Sequence, residues 1–168
     1  GLVPVGIRGP ERHQRFAAHV HLDRVSGRDG PEDLVAAGVL PSPERVAAVP
    51  ALAAYLRVRE AWAGITRPWG PVGSVGFEHS TGHPTANASS DLDVILRAPE
   101  RFPPVEGRAL MAPVDRIGTT IDVRVETGSG SFALREFCEQ GPAGCLVKSA
   151  AGIRLAVDPW SRDPGEQK

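Results

Sequence analysis

Asp91-Leu92-Asp93 places two carboxylates one residue apart at the start of an apolar run, DLDVILR. On a strand, residues i and i+2 point to the same side, so both acids would converge on one point while Leu92 serves the packing. Two like charges that close repel unless a cation lies between them. A hard divalent ion suits the position, because Mg²⁺ takes one or two carboxylates together with phosphate oxygens and water. Asp122 lies in a second strand-like run, TTIDVRVET, whose polar face could meet the same point. Three such carboxylates would serve one or two metal ions, neutralise a polyphosphate and align an attacking hydroxyl with a leaving pyrophosphate. Upstream, Gly73-Ser74 offers close backbone approach and a hydroxyl for the outer phosphates.

These residues need a scaffold. LVPVGIR (2–8), closed by Gly9-Pro10, and QRFAAHVHL (14–22) read as two strands, the second with Phe16, Ala18, Val20 and Leu22 on one face. Pro31 opens a short helix that Gly38 stops. Ser42-Pro43-Glu44 combines an N-cap, a first-turn proline and a first-turn acid, and predicts a helix interrupted at Pro50 and resumed to Gly64. Its stripe of Leu52, Tyr55, Leu56, Arg59 and Trp62 predicts a core face. Trp69 to Phe77 reads as a strand and turn, 91–97 as a strand, and 105–112 as a helix. In 119–127, Ile121, Val123 and Val125 go one way and Asp122, Arg124 and Glu126 the other. A turn at 128–130, a helix over 132–140 and two closing strands, CLVKS and IRLAVD, complete the pattern, with a polar, frayed tail after them. The expected fold is α/β of the α+β type: a mixed-sheet domain over 66–168 beside a smaller N-terminal α/β unit over 1–65, with a cleft between them. The polar stretch 79–90 lies inside the second unit and reads as a functional loop.

Of 168 residues, 41% are apolar and 5% aromatic, which permits an aliphatic core. Nineteen glycines and 16 prolines favour short elements over a helical bundle. A net charge of −1 leaves no broad basic field for duplex nucleic acid. Cys138 and Cys145 fit neither a zinc motif nor a disulfide framework and read as free thiols in a reducing cytoplasm. No apolar run reaches the roughly 18 residues of a membrane span, and residues 1–25 contain no signal-peptide core. His19 and His21 share a strand face without a third ligand in view, so a structural role is expected. Glu78 and Glu126 read as supports for a ligand or as exposed acids, and Arg124 as the charge that neutralises its neighbours Asp122 and Glu126. Trp62, Trp69 and Trp160 read as core anchors. Arg8 and Arg15 flank the first turn and suit bidentate phosphate contacts.

The order Gly-Ser, loop, Asp-x-Asp and a distant third acid resembles the nucleotidyltransferase superfamily of the DNA polymerase beta type, with a longer loop between Ser74 and Asp91 than its compact members have. The runs WGPVGSVGFEHSTGHP and SDLDVILRAP, followed by IDVRVET, LVKS and VDPW, resemble one branch: malonate decarboxylase holo-acyl-carrier-protein synthase, also described as phosphoribosyl-dephospho-CoA transferase. VPVGIRGPERHQRFA resembles that family's first domain, which carries a further segment ahead of it. The resemblance implies Asp91, Asp93 and Asp122 as metal ligands for Mg²⁺, with Asp122 as base, and Gly73 and Ser74 as substrate ligands. It also places Lys148 of CLVKS near the site as a phosphate ligand, where composition alone allows an edge gatekeeper. The implied substrate is triphosphoribosyl-dephospho-CoA and the implied partner an apo acyl carrier subunit. A transferase using ATP on the same scaffold and a catalytically silent nucleotide-binding module are the competing expectations.

Overall fold

The computed structural model describes residues 1–9, 14–139 and 144–161. Pro10 of the expected turn, Gln140 at the end of the expected helix, and the tail from 162 lie outside the described residues, as does the side chain of Arg8. Two compact units are present, 1–30 and 31–168. The first is an antiparallel hairpin, β1 (Leu2–Arg8) with β2 (Arg15–His21), followed by a 3-10 turn at Leu22–Arg24. The helices expected to belong with it, within 31–65, lie in the second unit.

The second unit opens with α1 (Pro31–Ala36), α2 (Pro43–Ala48) and α3 (Pro50–Ala61). The Ser42 hydroxyl caps α2 by accepting from the Arg45 N–H, and Pro50 begins α3 instead of continuing α2. The stripe of α3 is core: Leu52, Tyr55 and Trp62 are among the largest fully buried side chains. A six-stranded mixed sheet follows, in sequential order β3 (Trp69–Pro71), β4 (Leu92–Arg97), β5 (Ile121–Thr127), β6 (Gly130–Ala133), β7 (Cys145–Ser149) and β8 (Gly152–Ala156). Only β4 and β5 are parallel. A parallel pair needs a crossover, and α5 (Pro104–Val114) supplies it. The remaining helices are α4 (Gly73–Thr81) and α6 (Leu134–Glu139).

Alternation decides the two faces of this sheet. Leu92, Val94 and Leu96 of β4, Val123 and Val125 of β5, Phe132 of β6 and Val147 of β7 are buried on one side. Each such side chain contributes roughly 1.5–3 kcal/mol through removal from water. The same core holds Tyr55, Trp62 and Trp69, and Trp62 donates through Nε1 to the Leu110 carbonyl of α5 at 3.0 Å. Trp160 packs edge-on against Phe102, Phe132 and Phe137. The other side of the sheet carries Asp93, Arg97, Asp122, Arg124, Glu126, Ser131 and Lys148, all exposed or half-buried.

The edge strand β3 is covered by α1. A Cβ on Gly70 would overlap the Pro31 carbonyl and crowd the Glu32 nitrogen, both backbone atoms. Gly70→Ala is therefore expected to cost about 1–3 kcal/mol, which at about 2–4 °C per kcal/mol is a clear drop in a thermal melt. Gly64→Ala, with open space around its Cβ position, should melt with the wild type.

Candidate active site

The two chosen strands bring their acids together. Asp93 of β4 and Asp122 of β5 are register partners on adjacent parallel strands. Partners in this register share a face, with backbones about 4.8 Å apart. Asp93 is half-buried and Asp122 exposed. Asp91 is exposed and stands one residue ahead of β4, just before Leu92, whose N–H donates to the Thr120 carbonyl at 3.0 Å. Among the described residues no three His, Cys, Asp or Glu side chains are gathered into a metal-binding group. The pair of carboxylates, all oxygen and open on one side, suits a hard cation that completes its shell with phosphate and water.

Gly73-Ser74 does not form the turn expected between 69 and 77. It starts α4, a nine-residue helix that Gly82 closes in the left-handed conformation. Gly73 has φ +62°, and a Cβ there would overlap Asp93 Oδ2. The positive φ favours glycine, and a side chain would have to displace the Asp93 carboxylate. The first N–H groups of a helix have no partner within it and favour an anion. The sequence thus brings a helix N-terminus against the half-buried acid of the pair. Thr85 Oγ1 donates to the Ser74 carbonyl at 3.0 Å and ties the following loop to the start of α4.

That loop is held mainly by Glu78, a residue the sequence left undecided. Its side chain is 10% exposed and accepts four hydrogen bonds. Arg45 Nε and Nη2 donate to its two oxygens, each at 2.9 Å. The N–H groups of Thr85 and Ala86 donate to Oε2 at 3.0 and 2.9 Å. Arg45 also donates to the Ala86 carbonyl at 2.8 Å. Burial alone would raise the Glu78 carboxyl's pKa. The Arg45 guanidinium and the two amides outweigh it and hold the group below its ordinary value of 4.5. Glu78 is a structural clamp joining α2, α4 and the loop that leads to Asp91. Its partner Arg45 on α2 is 33 residues away in sequence, and no local pattern marks it.

The remaining predicted residues are dispersed. Lys148 is exposed on β7, an interior strand between β6 and β8, so it guards no edge. Arg124 does not neutralise Glu126; Arg97 does, with a second bond to Glu32 at 3.3 Å. Arg124 Nη2 instead makes long contacts of 3.4 Å to the carbonyl and hydroxyl of Ser131. Arg8 and Arg15 are cross-strand register partners at the end of the hairpin, in the other compact unit. His19 and His21 lie on that hairpin. His79 Nε2 sits 3.3 Å from the Leu34 carbonyl. Burial pushes the Cys145 thiol up to about 11 and raises that of Cys138, so neither has the character of a nucleophile.

The second unit is thus an α+β domain whose open sheet face carries paired acids beside a glycine-led helix. Residues 39–159 match the family described as phosphoribosyl-dephospho-CoA transferase MdcG, C-terminal domain, and the chain belongs to that family. A phosphoribosyl-dephospho-CoA transferase of Pseudomonas fluorescens Pf-5 is 40% identical over 99% of this chain and 76% of its own length. One of Pseudomonas putida is 40% identical over 96% and 75%, and one of Klebsiella pneumoniae strain 342 is 35% identical over 96% and 76%. No solved structure matches the chain.

Proposed function

We propose that this protein transfers the phosphoribosyl-dephospho-CoA group of 2′-(5″-triphosphoribosyl)-3′-dephospho-CoA to a serine of the acyl carrier subunit of malonate decarboxylase, in the cytoplasm. The observation that carries the reading is the register pairing of Asp93 with Asp122 next to the N-terminus of α4. The serine oxygen attacks the α-phosphorus, the bond to the β-phosphate breaks, and pyrophosphate leaves. Asp122, the more exposed acid of the pair, takes the serine proton in this reading. Gly73 and Ser74 hold the outer phosphates through N–H groups and the hydroxyl. Asp93 and Asp122 would hold Mg²⁺, which supplies charge neutralisation on the phosphates when bound, with Asp91 a further acid ahead of β4. Arg8 and Arg15 are proposed phosphate ligands from the hairpin.

The test incubates the purified chain with Mg²⁺, apo carrier subunit and the triphosphoribosyl donor, with ATP as donor in parallel. Pyrophosphate release and a mass increase on the carrier serine with the CoA-derived donor alone are expected. Labelling from ATP alone would keep the transferase and reject this substrate. Nucleotide binding indifferent to metal, without transfer from either donor, would leave a silent module.

A further inference from the structure

We propose that Arg124 and Lys148 form a second anion site on the open face of the sheet, and that it takes the diphosphate bridge of the donor's dephospho-CoA part. This rests on the proposed function for the identity of the donor. The structural basis is independent of the acid pair. Arg124, Thr127, Ser131, Lys148 and Ser149 line a cavity of about 400 Å³, within the size range of small-ligand sites. Register places these groups together: Ser131 pairs with Glu126 on one side and Lys148 on the other, while Arg124 pairs with Ala133. Two cations and three hydroxyls surround the space. Among the described residues the one carboxylate lining it, Glu126, is paired with Arg97. The Ser131 contacts of Arg124 are long and engage a single nitrogen, Nη2, of a guanidinium with five donors.

The spacing suits a two-headed ligand. Arg124 follows Asp122 by two residues on the same face, about 6.6 Å along the strand, and Lys148 lies two strands further across, roughly 9–10 Å. The donor carries phosphate at both ends of a pair of linked riboses. With the triphosphate at the acids, a second phosphate group is left to be held further along the same face. The acids repel phosphate without a cation, whereas Arg124 and Lys148 attract it directly. The second site would therefore give donor affinity that needs no metal.

The experiment is calorimetric titration of the full chain with 3′-dephospho-CoA, which has the diphosphate and lacks the triphosphate, in EDTA. Binding is expected, weakened about ten- to a hundredfold by Lys148→Met and by Arg124→Met, and restored in part by Lys148→Arg. Pantetheine, without the diphosphate, should not compete. Circular dichroism melts would show that the variants fold. In transfer assays the two variants should raise the donor KM more than they lower kcat. Absence of dephospho-CoA binding, or equal binding by wild type and both Met variants, would overturn the site. So would a loss of affinity confined to the acyl carrier subunit, which would make the patch a protein-docking surface. Metal-free binding that depends on Lys148, without any transfer to the carrier, would sink the proposed reaction and leave this site standing.

Discussion

Asp93→Asn is expected to slow the proposed transfer to a carrier serine roughly a thousandfold with the fold intact. Stabilising the charge that develops on transferring phosphates contributes several kcal/mol, and each 1.36 kcal/mol is about tenfold in rate. Asparagine keeps the shape and one oxygen while removing the charge with which, in the proposed reaction, Asp93 and Asp122 would hold a cation. Asp93 is also the member that lies against Gly73, so it sets the distance between the acids and the helix N-terminus. Asp91 is exposed and outside β4, so Asp91→Asn should cost less than Asp93→Asn. Single-turnover assays with excess enzyme would separate chemistry from release. A loss under tenfold in Asp93→Asn, with circular dichroism unchanged, would remove the acid pair from the mechanism.

Glu78→Ala is expected to be strongly destabilising, at about 2–3 kcal/mol, because it leaves a half-buried guanidinium and two amides without their acceptor. It would strip Arg45, whose side chain is 31% exposed, of its two carboxylate bonds, and leave the amides of Thr85 and Ala86 without an acceptor. Glu78→Gln keeps the volume and part of the bonding and should fall between. The pH dependence follows from the carboxyl being held below 4.5 in the fold. A group whose folded pKa is depressed stabilises the protein above its unfolded pKa, and that contribution is lost as the pH falls through the folded value. Wild type should therefore lose more stability than Glu78→Gln between about pH 7 and the region below 4.5. Urea denaturation at the two pH values measures the difference, and parallel losses in both proteins would reject the clamp.

Much of this site was legible because alternation is a strong signal. TTIDVRVET carries a strict two-residue period, DLDVILR carries one broken only by Ile95, and a strand with one buried face has little freedom in register. Their polar positions had to face the same side once the strands paired. Ser42-Pro43-Glu44 was equally explicit as a helix start. The helix at Gly73 was not legible: GSVGFEHST has two glycines and no apolar stripe, so its propensity is poor. Its start is fixed by contact with Asp93, twenty residues on in the chain. The helix expected over 105–112 runs from 104 to 114, with Pro113 accommodated in its last turn. The stretch 132–140 begins as strand because Phe132 pairs with Val125 and fills the core. Arg97 takes the role toward Glu126 that was expected of Arg124, because the partner of Glu126 comes from the neighbouring strand, which short-range spacing does not reveal.

The parallel pairing of β4 with β5 has a consequence for how the site arises. Neither strand holds two of the in-register acids, and the pair exists only after a crossover of more than twenty residues has closed. Non-local closure of this kind is slow compared with local helix formation, so the site is expected among the later features to assemble. It is also vulnerable to slippage: a shift of β5 by one position would turn Asp122 into the core and bring Ile121 or Val123 to the open face. The apolar side chains of β5 thus guard the chemistry by making the wrong alignment too costly to populate.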